Sequence, residues 1–303
     1  AALAFWAWLI GILIHVVTVF ADGGLGEPNP TSQFAQGMDP EATELSILSI
    51  GMVVLALLVG TVCVIATIIS QRPQGMTLFE LPLFSWSMLV AGSIWILALP
   101  IWLSNLAISW VDFLGADALR YGAVENIWGQ LSWLWSQPMI FAFAIPVLGI
   151  AGDIIPVSSG VSQRQYRIQQ IAIGAMGALS FGAFAQPFFN PDVADQAVFV
   201  SMGILVLVPV LVFMGGLADT SIRGNLSFSA HLVLSIVGML ALLVAAAASA
   251  FHVSGPAIGA IQEINDSWLD GLITWLRDVH GTVMATAVME HVLIASVIGV
   301  VAG

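Results

Sequence analysis

The chain has 303 residues, of which 59% are hydrophobic and only 8% charged, with a formal net charge of −12. A soluble domain of this size carries about 25% charged residues, so the composition points away from a soluble protein. The acidic balance also excludes nucleic acid as a partner, because that role needs a basic footprint. The single cysteine, Cys63, lies inside an apolar run and has no intrachain disulfide partner.

Apolar runs long enough to cross a bilayer core of ~30 Å, about 20 residues each, recur along the chain. They are continuous rather than alternating, so they predict helices and not barrel strands. Eight spanning segments are expected, at about 1–20, 45–70, 79–110, 132–157, 168–189, 197–217, 227–252 and 280–302. The first, with Trp6 and Trp8, reads as a spanning helix rather than a signal peptide; no initiator Met, basic n-region or A-x-A site accompanies it. The stretch Asp266–Asp278 alternates Trp and Leu with acids and predicts a short interfacial helix. No repeat or low-complexity tract divides the chain, so one domain over 1–303 is expected.

All six basic residues are arginine. Arg72, Arg164, Arg167 and Arg223 fall in the second, fourth and sixth loops, which the positive-inside rule places in the cytoplasm of a prokaryotic plasma membrane. The opposite face carries 14 of the 18 acids. That acidic face suits either a basic electron carrier or a saline or acidic medium, and the absence of lysine favours the medium.

Four strings carry a specific pattern. Ile68–Val90 reads IISQRPQGMTLFELPLFSWSMLV, and Trp133–Val157 reads WLWSQPMIFAFAIPVLGIAGDIIPV. Ala178–Asp192 reads ALSFGAFAQPFFNPD, and Val279–Gly299 reads VHGTVMATAVMEHVLIASVIG. In order and spacing these resemble subunit I of the heme-copper (cytochrome c) oxidases. A weaker likeness runs from Val208-Pro209 to Arg223–Phe228. The resemblance implies an all-α integral membrane fold, with the eight segments corresponding to the family's third to tenth helices.

The resemblance also says what each motif position contains. The family's first copper histidine corresponds to Gln137, its proton-passing Glu to Met139, and its cross-linked Tyr to Phe141. The paired copper histidines correspond to Gln186 and Pro187, the high-spin heme ligand to Val288 and the low-spin ligand to Glu290. The proton-channel Lys corresponds to Phe213, and Glu80 stands where an Arg is usual. Imidazole is the donor that suits copper and heme iron. An amide is a poor substitute and a proline ring offers none, so no heme or copper is expected in this chain, whereas bound lipid is.

His280 and His291 lie eleven residues apart, about three turns along nearly one helix face. They are the candidate ligands by position, although His291 is one residue, ~100°, from the matched ligand site. An interhelical hydrogen bond is the commoner state for such a histidine. Glu290 within a span reads either as a proton-relay carboxyl or as a protonated group bonded to a neighbour such as Gln186.

The expected function is therefore a non-catalytic, subunit-I-like structural component of a respiratory membrane complex, with other membrane subunits as partners. The alternatives are a divergent oxidase with unrecognised ligands and a proton channel or transporter using Glu290. Small residues at Gly174–Gly182 and Ala245–Ala250 are expected to admit neighbouring helices closely. Asp153 is expected at the interface in contact with solvent, and the tryptophans as an aromatic belt.

Overall fold

The computed structural model describes residues 1–22, 40–114, 127–181 and 193–254. Among them are eight α-helices: α1 (Ala2–Asp22), α2 (Pro40–Ser70), α3 (Leu83–Leu114), α4 (Ile127–Ser159), α5 (Tyr166–Leu179), α6 (Val193–Leu205), α7 (Leu207–Arg223) and α8 (Ala230–Val253). No strand occurs among the described residues. Among the described residues, six spans are long and apolar enough to cross a membrane: Ala2–Phe20, Glu41–Ser70, Leu83–Asp112, Phe141–Ser159, Val200–Arg223 and Ala230–Ala248. The helices close their own backbone hydrogen bonds, which is what a hydrocarbon surround demands.

The expected spans 1–20, 45–70, 79–110, 132–157 and 227–252 each correspond to a helix, with α2 and α4 starting earlier, at Pro40 and Ile127, and α3 and α8 later, at Leu83 and Ala230. Residues 71–82 form a structured connection instead of extending α3. Met76 N–H donates to Pro73 O at 3.1 Å, and Gly75 at the third position of that turn has φ +88°. Only glycine takes that conformation without strain, which accounts for the glycine of the Gly-Met-Thr string. A short 3-10 turn, Leu78–Glu80, follows.

The expected span 197–217 corresponds to the Val200–Arg223 span, in which α6 and α7 are separated only by Val206, itself in helical conformation. Pro209 lacks an N–H and its ring crowds the carbonyl four residues earlier, which interrupts the regular hydrogen bonding there, while Val206 N–H still donates to Met202 O at 3.1 Å. The helix in the 168–189 region starts at Tyr166 and its regular part ends at Leu179. The segment 280–302 and the interfacial stretch Asp266–Asp278 lie outside the described residues.

The chain forms two compact units, residues 1–71 with 92–136, and residues 72–91 with 137–303. In the first, α1 packs along α2, with a close approach at Gly11. A Cβ there would lie 2.9 Å from Val53 Cγ2 and 3.0 Å from Ser49 O. His15 shares a 3.3 Å hydrogen bond between its Nδ1 and Ser49 Oγ across the same contact. His15 therefore has the interhelical bond expected of a membrane histidine.

In the second unit the core is the Phe141–Ser159 part of α4. Ala144, Ile145, Leu148 and Ala151 are completely buried there. Phe213 and Val210 of α7 and Ile173 and Met176 of α5 are also completely buried. The small residues Ala245 and Ala246 of α8 are buried as well.

Candidate functional site

The second unit gathers the residues that carried two of the four sequence strings. Gly149 of the Pro146–Gly149 string lies against the first turn of α3. A Cβ on it would be 2.7 Å from Phe84 Cα and 2.8 Å from Leu83 O. Four residues on, Asp153 accepts the Phe84 N–H at 3.2 Å. This carboxylate occupies an N-terminal helix donor that would otherwise be orphaned. Asp153 was expected in solvent contact at the interface; it is half-buried, because the start of α3 supplies a partner.

The start of α5 ties into the same region. Trp86 Nε1–H donates to Gln170 O at 2.9 Å, so this indole is an interhelical connector rather than part of a belt. Tyr166 Oη donates to Leu81 O, and Arg167 Nη1 donates to Phe79 O at 2.7 Å. Burial, reinforced by the nearby Asp153 carboxylate, pushes the Tyr166 phenol above its usual range, so it stays protonated as a donor. The guanidinium of Arg167 also lies 5.9 Å from the Phe79 ring centroid.

Glu80, where the resemblance has an arginine, accepts the Thr77 N–H at 2.8 Å. That backbone bond holds its carboxyl below the ordinary glutamate range. A depressed carboxyl contributes above its ordinary range, and the contribution is lost as pH falls through the lowered value. We expect Thr77 amide-exchange protection to disappear on acidification in the native chain. In Glu80→Gln the amide oxygen still accepts, so protection should persist without pH dependence. Pulsed hydrogen exchange on the protein in nanodiscs reads both.

Gln169 wedges between α5 and α7. Its Nε2 donates to Phe213 O at 3.4 Å, and a Cβ on Gly216 would lie 2.8 Å from that nitrogen. Its Oε1 is buried without a hydrogen-bond partner. Such a group costs about 1–3 kcal/mol unless a water reaches it. The polar run Gln169-Gln170 at the start of an apolar helix was the available signal for these connectors. It reads equally well as an interfacial helix end.

Of the positions singled out by sequence, Gln137 and Met139 lie in α4, and Phe141 is one turn beyond Gln137. Phe141 is buried. Phe213 is completely buried, its Cζ 3.1 Å from where a Cβ on Gly152 would stand. Gln186, Pro187, His280, Val288, Glu290 and His291 lie outside the described residues. Among the described residues, no three His, Cys, Asp or Glu side chains converge in a metal-holding group.

Fold and packing together define a multi-pass, all-helical membrane protein whose connecting loop and helix starts are held by a specific polar lattice. The family Cytochrome C and Quinol oxidase polypeptide I matches residues 1–263, and the chain belongs to that family. It is 28% identical over 268 residues to cytochrome c oxidase subunit 1 of Bacillus subtilis, covering 83% of this chain and 43% of that protein. It is 26% identical over 246 residues to a probable cytochrome c oxidase subunit 1-beta of Nocardia farcinica, covering 78% and 41%. A quinol oxidase subunit 1 of Bacillus subtilis is 26% identical over 236 residues, covering 75% and 36%. The chain thus spans less than half the length of these relatives.

Proposed function

We propose that this chain is a non-catalytic, subunit-I-like structural component of a respiratory membrane complex in a prokaryotic plasma membrane. Other membrane subunits of that complex are its partners, and the arginine-bearing loops face the cytoplasm. The single-domain reading belongs to this proposal, since α3 contributes residues to both compact units. Phe213 is the observation that carries the functional reading. At the position matching the family's proton-channel lysine, a completely buried hydrocarbon ring packs against α4.

Membership in the family implies heme and copper. Phe141 presents a buried ring without a donor where a cross-linked tyrosine is implied. Gln137 and Gln186 offer amides, Pro187 and Val288 no side-chain donor, and Glu290 a carboxylate in place of imidazole. This donor set does not fit a three-histidine copper or an imidazole-ligated heme. No redox step is therefore assigned to this chain, and its acidic face is attributed to the medium more readily than to a basic carrier.

The test is heme and copper quantification on the purified native assembly, normalised to this chain and to any conventional subunit I. All heme and copper is expected to scale with the other subunit. Stoichiometric heme or copper on this chain would overturn the reading and make His280, His291 and Glu290 the first ligands to mutate. Ion flux through the isolated chain that Glu290→Gln abolishes would instead favour a proton channel.

A further inference from the structure

A groove of about 520 Å³ runs between α2 and α3 in the first unit. Its volume lies within the range of ligand sites, about 300–1,000 Å³. Leu48, Met52, Leu55 and Leu106 form its walls, and Glu44 and Trp110 stand at one end. There Trp110 Nε1–H donates to Glu44 Oε1 at 3.4 Å. Leu48, Leu55 and Trp110 are exposed on helices that both qualify as membrane spans.

Length and polarity together identify an occupant. From Glu44 to Leu55 the wall rises by eleven residue steps, about 16 Å at 1.5 Å per residue. That is about half of a ~30 Å hydrocarbon core, or one leaflet. A carboxylate and an indole N–H at the interfacial end, with one leaflet's depth of apolar wall beneath, match a lipid's headgroup and a single acyl chain. A partner helix would need a groove along the whole span, and this one stops midway. The Glu44 carboxylate selects a headgroup that brings an ammonium, because the resulting hydrogen bond is charge-assisted. An anionic headgroup without a cationic donor meets repulsion.

We propose that this groove is a specific site for phosphatidylethanolamine in the leaflet at the Glu44 end. The ammonium docks on Glu44 and one acyl chain lies along α2 and α3 down to Leu55. The site depends only on these two helices and stands whether or not the chain carries cofactors.

The test uses the native assembly in nanodiscs, with phosphatidylethanolamine carrying a diazirine midway along one acyl chain. Phosphatidylglycerol with the same chain is the comparison. Cross-links mapped by mass spectrometry are expected at 48–55 and 103–106. They should be about tenfold more abundant with the ethanolamine lipid, the factor one charge-assisted hydrogen bond supplies. Glu44→Gln should bring that ratio close to one.

Gly51 lines the groove, and a Cβ on it meets nothing within 4 Å. Gly51→Phe should therefore fill the groove without backbone strain and remove the cross-links. Gly174→Phe, at another open position, should leave them intact. Labelling spread evenly over all lipid-facing helices would overturn the proposal. So would cross-links that survive Gly51→Phe, a groove labelled only by a diazirine quinone analogue, or a neighbouring subunit found cross-linked along Leu48–Leu55.

Discussion

A chain carrying Gly149→Val is expected to accumulate little folded protein, and what folds should lose about 3 kcal/mol or more of stability. A Cβ at this position would stand 2.7 Å from Phe84 Cα and 2.8 Å from Leu83 O, with Ser87 Oγ closer still. Two of these neighbours are backbone, so no side-chain rotation relieves the contact. The first turn of α3 would have to move away from α4. That shift would break the Phe84 N–H to Asp153 bond at 3.2 Å and strain the Trp86 to Gln170 bond at 2.9 Å. Gly149→Ala should fall between the native chain and the valine variant. SDS-titration unfolding of the purified chain, alongside folded yield, measures the series. A valine variant as stable as the native chain would refute the close approach of α3 and α4.

Phe213→Ala carries the second large effect, a loss of about 3–5 kcal/mol, the usual cost of emptying a buried phenylalanine site. The ring is completely buried and meets α4 at Gly152. In lipid the loss is one of dispersion contacts more than of hydrophobic transfer, since the alternative surround is equally apolar. Phe213→Leu, closer in volume, should cost less than about 1.5 kcal/mol. The two variants in the same unfolding titration separate a packed ring from a loosely held one. Equal stability of the alanine and native chains would remove the observation on which the non-catalytic reading rests.

The spans were legible because an uninterrupted apolar run of about 20 residues has few alternatives in a membrane. The one-residue interruption at Val206 was less so, since Pro209 is tolerated in some spanning helices and ends others. The strings around Leu81–Phe84 and Pro146–Gly149 were recognisable as a family pattern. Their physical basis was not visible in the order of residues. The two strings pack against each other, and Gly149 is small because Leu83 and Phe84 leave it no room.

The polar residues show where one-dimensional reading stops. Asp153, Trp86, Tyr166 and Gln169 all sit at or near helix ends, where hydropathy allows solvent contact as readily as interhelical bonding. The fold assigns them Phe84 N–H, Gln170 O, Leu81 O and Phe213 O as partners.

Composition and run length thus suffice for the class and the approximate spans, because exclusion of charge over about 20 residues is a signal each segment carries alone; the family likeness came from the resemblance of the four strings. They do not say which face of a span meets protein. In water an apolar face marks the core, but in lipid the core face and the outer face are both apolar. Whether Leu48 lines a groove, Phe213 plugs a core or Gly149 seats a neighbouring backbone is settled only when the helices meet. Close packing and hydrogen-bond pairing between distant segments are the physical terms that distinguish those faces.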